Sequence, residues 1–166
     1  MYPGNLTITA KGEREIIMSR EFNAGRSLVY DAFTKPELLK RWLLGPDGWS
    51  LDVCEIDLKV GGKFRYVWHH KDGRSMGMGG EYRELQTPEK IVNTELFDEA
   101  WYSGESIITT VFSETNGKTL VVATMLYDSL EARDSVVHSP MEKGMNTSYG
   151  RLDRLLESTP VSGGFK

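Results

Sequence analysis

The sequence predicts an α+β domain in which a curved, seven-stranded antiparallel sheet wraps one long C-terminal helix. Three observations carry that expectation. Residues 129–156 contain Pro140 as their one strong breaker and repeat apolar residues at Met141, Met145, Tyr149, Leu152 and Leu156, a helical spacing. From Trp49 to Tyr127 the chain alternates instead, in short runs separated by turn residues. Between the first strand and those runs the period changes twice, for a pair of short helices.

In order, residues 1–13, with Pro3, Gly4 and Gly12, read as a loose lead-in. A first strand over 15–22 places Ile16, Met18 and Arg20 on one face, with Ile17 and Phe22 near the other. Leu28, Val29, Ala32 and Phe33 then take helix spacing, with Asn23 or Ser27 placed to cap the start. Thr34-Lys35-Pro36 stops that helix, and Pro36 opens a second, through Trp42, that ends at Gly45-Pro46-Asp47-Gly48. Strands fit 51–58, 63–70, 76–86, 90–96, 106–114 and 119–127. Their separators are Val60-Gly61-Gly62, Lys71-Asp72-Gly73-Arg74, Thr87-Pro88-Glu89 and Asn116-Gly117, the last being the most specific hairpin signal. Short connections imply an antiparallel meander.

Ser139, Pro140 and Glu142 read as N-cap, first helical position and first-turn acid of the last helix. Glu142, Lys143, Asn146, Arg151, Asp153 and Arg154 are mostly turned away from its apolar side, and the Glu131–Arg133–Asp134 group reads as a solvated face. The tail after Ser158 reads as frayed. A twisted sheet that wraps a helix cannot close on it everywhere, so this helix-grip arrangement leaves space between the two.

The chain is one expected domain, 1–166, with its core at about 15–157 and loose ends at 1–13 and 158–166. A net charge of −4 without a basic block argues against nucleic acid and anionic membranes as partners. One cysteine, Cys54, excludes an internal disulfide and a cysteine-rich zinc site and suits a reducing compartment. The start has no basic, then apolar, leader pattern, and no window approaches a membrane span, so the expected location is cytoplasmic.

A set of short motifs carries a family resemblance. They are Arg20-x-Phe22, the helix to Phe33-Thr34-Lys35-Pro36-Glu37-Leu38-Leu39-Lys40-Arg41-Trp42, Gly45-Pro46, Asp57-Leu58-x-x-Gly61-Gly62, Gly80-x-Tyr82-x-Glu84-Leu85, Thr87-Pro88-Glu89-Lys90-Ile91, and Gly144 in the last helix. In that order and spacing the chain resembles the activator-of-heat-shock-protein-90-ATPase-like branch of the START/polyketide-cyclase (SRPBCC) superfamily. The likeness covers roughly residues 15–156 and implies the helix-grip fold. It departs where Met145 replaces the usual bulky aromatic after the helix glycine, and where Arg26 stands for a frequent proline. The superfamily spans lipid and sterol carriers, polyketide cyclases, hormone receptors and a self-sacrificing resistance protein, so fold alone does not choose among functions. Its chaperone activators are larger and use an additional N-terminal domain, which places direct chaperone regulation below ligand binding.

Candidate chemistry is sparse. His69 and His70 are adjacent on a strand and point to opposite faces, so they do not share a metal. His138 precedes Pro140 at a helix end, where a cation suits the dipole. There is no H-x-x-x-H or H-E-x-x-H and no G-x-S-x-G, and no cofactor, metal site or catalytic set is assigned. Gly77-Met78-Gly79-Gly80 lacks a G-K-[ST] ending and a following helix, and reads as a place where the sheet bends. Glu84 alternates with Gly80 and Tyr82, and on a concave face it would be a buried acid with a raised pKa. The simpler reading is a salt bridge at the sheet rim.

The richest signal is apolar. Trp68, Met78, Tyr82, Met145 and Tyr149, with Glu84, are the expected ligand-contacting set, because methionine and aromatic side chains line small-molecule cavities. The leading expectation is binding of a small hydrophobic molecule between sheet and C-terminal helix. A protein-interaction role, as stress or chaperone cofactor, ranks second. A cyclase- or hydrolase-like enzyme using Glu84, Tyr82 or His70 ranks third. A homodimer through an open sheet edge is compatible with all three.

Overall fold

The computed structural model describes residues 6–159. The chain runs β1 Thr7–Lys11, β2 Glu15–Phe22, α1 Arg26–Thr34, α2 Pro36–Trp42, β3 Trp49–Ile56, β4 Lys63–His70, β5 Ser75–Gln86, β6 Lys90–Phe97, β7 Ser106–Thr115, β8 Lys118–Leu126, α3 Leu130–Val137 and α4 Met141–Ser158. The sheet is antiparallel in the order β1-β2-β8-β7-β6-β5-β4-β3, so β3 to β8 form the expected meander and β2 closes beside β8. At the tight β7–β8 hairpin, Asn116 and Gly117 take φ of 54° and 77°, as an Asn-Gly turn requires.

The sheet has eight strands where seven were expected. The extra one, β1, lies in the presumed lead-in and pairs Ile8 with Met18 and Ala10 with Ile16. The five residues Thr7-Ile8-Thr9-Ala10-Lys11, hard against Gly12, were too short to stand out. Tertiary pairing makes them an edge strand. Residues 1–5 of the lead-in, and 160–166 of the tail, lie outside the described residues.

Strand β2 follows strict alternation: Ile16, Met18, Arg20 and Phe22 all face inward, which corrects the expectation that Phe22 turns away. The interior it helps form is fully closed around Phe22, Phe112, Val121 and Leu152. Helix α1 brings Val29 and Tyr30 onto this region, and Phe33 packs between Trp42 at 5.0 Å and Phe112 at 5.3 Å. The Trp42 indole donates to the Ala32 carbonyl at 2.8 Å, locking α2 against α1.

The last stretch is two helices. Ser129 caps α3, accepting from the Ala132 amide at 3.1 Å. Ser139 does not cap α4: its hydroxyl turns back to donate to the Val136 carbonyl at 2.6 Å, and Pro140 itself stands at the N-cap. Two residues expected in solvent are buried. Arg133 donates to the Gly12 and Glu15 carbonyls at 3.1 and 3.0 Å and clamps α3 to the β1–β2 turn. Asp153 receives both arms of Arg20, each at 2.6 Å, tying α4 to β2. Sequence alternation cannot anticipate either residue, because each is buried by a partner distant along the chain.

Candidate functional site

The interior face of the β4–β6 end is built from strand alternation. Phe64, Tyr66 and Trp68 of β4 point inward, Tyr66 lies opposite Met78 of β5, and Met78 lies opposite Phe97 of β6. A side chain at Gly80 would run into the Thr94 carbonyl and the Phe64 ring, so glycine there lets Phe64 lie against the β5 backbone. Tyr82 stands 5.5 Å from the Phe64 ring. The Trp68 indole donates to the Leu43 carbonyl at 2.8 Å and fixes the turn after α2. From the helix side, Tyr149 stacks on Trp42 at 5.8 Å and meets Phe22 edge-on at 5.1 Å. Met145, one turn earlier on α4, is half-buried against the same core.

The structure therefore brings Trp68, Met78, Tyr82, Met145 and Tyr149 to the interior, and turns Glu84 away. Tyr82 lies opposite Asn93 but Glu84 lies opposite Val92, so a β-bulge places an extra residue between them. That insertion reverses which side Glu84 faces. Its side chain is 41% exposed, forms an ion pair with Lys90 at 3.2 Å and accepts from the Gln86 amide. This outward position removes the buried acid on which the Glu84-based enzyme expectation depended. His70 is packed at the rim, its ring 5.0 Å from Trp49 and its Nδ1 accepting from the Asp72 amide at 3.1 Å. His69 instead faces out and pairs with Asp52 at 2.9 Å. Among the described residues no three His, Cys, Asp or Glu side chains are grouped to hold a metal ion. Cys54 is buried, and that burial pushes its thiol up to about 11, so it is not a ready nucleophile.

An acid does face the interior, and sequence reasoning missed it. On β6, Ile91 and Asn93 are buried, Glu95 is half-buried on the same face, and Leu96 and Asp98 point out. Glu95 pairs in register with Ser106 of β7. Its charge acts on the phenols of Tyr66, Tyr102 and Tyr127, which places the carboxylate among side chains from β4, the β6–β7 connection and β8. Burial alone pushes this carboxyl up to about 7, with no basic group opposing it. Neither a hydrogen bond nor an ion pair to its carboxylate occurs among the described residues. Alternation from Ile91 through Asn93 was the signal that could have found it.

The tyrosines share that lack of partners. Burial raises the pKa of Tyr66, Tyr82 and Tyr149, and their hydroxyls make no hydrogen bond to the described protein. Yet no fully enclosed side-chain polar atom lacks a partner among the described residues. Each of these hydroxyl oxygens therefore keeps some accessible surface rather than being sealed in packed side chains. A separate, shallow cleft of about 330 Å³ lies outside, lined by Arg41, Arg151, Arg154, Leu155 and Ser158. Arg151 is already engaged there, donating to the Gly45 carbonyl at 2.7 Å and pairing with Asp47 at 3.2 Å.

Comparison with known proteins gives a consistent family. Residues 23–157 match the family described as activator of Hsp90 ATPase homolog 1-like protein. A Rhodobacter sphaeroides protein of solved structure is 30% identical, with a TM-score of 0.88 over 93% of this chain and 99% of that one. A Staphylococcus epidermidis protein is 26% identical, with a TM-score of 0.75 over 93% of this chain and 95% of that one. The AHSA1-like protein from Aeromonas hydrophila, at 19% identity, shares the fold with a TM-score of 0.66 over 86% of this chain and 96% of that one. No curated protein matches the chain. No described helix is long and apolar enough to cross a membrane.

Proposed function

Because this chain belongs to the activator of Hsp90 ATPase homolog 1-like family, whose helix-grip fold serves many roles, we propose its function from its own interior: it binds a small hydrophobic molecule between the sheet and α4. The observation that carries this reading is the set of interior polar tips without a hydrogen-bond partner among the described residues, the hydroxyls of Tyr66, Tyr82 and Tyr149. Interior polar atoms are almost always paired, and these stand at the edge of apolar walls that include Trp68, Met78 and Met145. A ligand with an apolar body and one or two polar groups satisfies both at once.

Native mass spectrometry of the protein purified from its own source, followed by denaturing extraction, tests the proposal. A retained small molecule supports it and gives the ligand class. Apo protein alone, with no thermal shift across a panel of hydrophobic compounds, rejects it. In that case the protein-partner reading gains, with Trp101 and Leu96, 51% and 47% exposed, as the first side chains to substitute.

A further inference from the structure

We propose that Glu95 is the polar anchor of this interior site and that its ligand carries a protonated amine on an apolar body. The inference rests on the ligand-binding reading above and specifies its chemistry. Glu95 is placed inward by the alternation of β6, among Tyr66, Tyr102 and Tyr127, and its carboxylate has no hydrogen-bond or ion-pair partner among the described residues. An interior carboxylate without a counter-ion is costly to keep ionised, and such groups are normally paired. The nearby hydroxyls can donate weakly, but none supplies a positive charge. A ligand ammonium supplies it, and an aromatic surround adds cation–π attraction of the kind that aromatic cages use for amines.

The remaining charges on the elements around the site do not compete. Arg20 of β2 is matched by Asp153 of α4 at 2.6 Å. Arg65 of β4 is drawn outward to Asp98, and Arg83 of β5 lies 3.6 Å from Glu105. The titratable groups that act electrically with Glu95 are the three phenols, all held above their usual range by burial and hence neutral near pH 7. Glu95 is thus the one interior group among them that changes charge around neutrality, its carboxyl being held up to about 7. Amine binding favours the carboxylate, releases a proton and strengthens as pH rises.

The test is calorimetric titration of the full chain with tryptamine, tryptophol and indole-3-acetate, which share a ring and differ in the terminal group. Wild type is expected to bind tryptamine about tenfold more tightly than tryptophol, the size of one charge-assisted contact, with indole-3-acetate weakest. Raising the pH from 6 to 8 should tighten tryptamine by up to about tenfold, as the ionised fraction of a group titrating near 7 rises, and leave tryptophol unchanged. Glu95→Gln should bring tryptamine to within about twofold of tryptophol. The wild-type pH profile reads the same group if that variant does not fold. Binding of tryptophol or indole-3-acetate with no preference for the amine, or an amine preference that survives Glu95→Gln, overturns this assignment and leaves the hydrophobic site standing. Binding of no member of the trio and of no compound in the hydrophobic panel overturns the ligand-binding reading itself.

Discussion

The two ends of the sheet interior differ in kind. At the β2–β8–β7 end, Phe22, Phe112, Val121 and Leu152 are closed off from solvent, and polar groups are matched: Thr119 donates to the Ala24 carbonyl at 2.7 Å and Arg20 chelates Asp153. At the β4–β6 end the side chains are as aromatic, but the hydroxyls of Tyr66 and Tyr82 and the carboxylate of Glu95 have no hydrogen-bond or ion-pair partner among the described residues. One end is arranged to hold the fold together. The other leaves polar tips at its edge that the described residues do not bond but that keep some accessible surface, as suits a place where something outside the chain completes them.

The sharpest way to break the comparison is at the closed end. Asp153→Ala removes the buried carboxylate that Arg20 chelates, and chemical denaturation should show a loss of about 3–5 kcal/mol. If the ends really differ, removing an unpartnered polar group at the open end should do the opposite. Glu95 has a folded pKa of about 7 against an ordinary 4.5, so the fold holds the proton more tightly than the unfolded chain does. Its contribution therefore becomes unfavourable as pH climbs from about 4.5 to about 7, and it stays so above that. The full shift would correspond to roughly 3 kcal/mol, and the partial exposure of the side chain reduces the expectation to about 1–2 kcal/mol. Glu95→Gln should therefore stabilise the protein by that amount at pH 8 and by nearly nothing at pH 4, in paired denaturation curves.

Two hydroxyl deletions sharpen the contrast at smaller scale. Thr119→Val leaves a buried carbonyl without its donor and should cost about 1–2 kcal/mol. Tyr82→Phe removes a hydroxyl that bonds to no protein group and should change stability by less than about 0.5 kcal/mol. Equal costs for these two would erase the distinction between the ends. Smallest of all, Glu84→Gln breaks only an exposed pair with Lys90 and should stay within about 0.5 kcal/mol and leave ligand binding intact.

What the sequence made legible follows from range. The meander, the Asn116-Gly117 hairpin, the proline-started α2 and the apolar stripe of α4 are written in spacings of two, three or four residues, and they stand in the structure. What escaped depends on distant partners or on one inserted residue. β1 is a strand because β2 pairs with it, and Asp153 is inside because Arg20 is there. The bulge after Tyr82 is invisible to strict alternation, and it turned the Glu84 side chain to the outer face of the sheet. Glu95 was readable from Ile91 and Asn93, four and two residues before it. The apolar Leu96 and Phe97 that follow occupy both faces and hid the pattern.

A ligand at the β4–β6 end must contact Met78 and Met145 together. Carbon-13 labelling of methionine methyl groups reads this directly, because methionines mark several regions of the molecule. With a hydrophobic compound panel, the Met78 and Met145 signals should shift together, while Met18, beside the closed end, and Met76, 39% exposed at the rim, should stay in place. Shifts confined to Met76, or no shift with any compound, would contradict a ligand site between the sheet and α4.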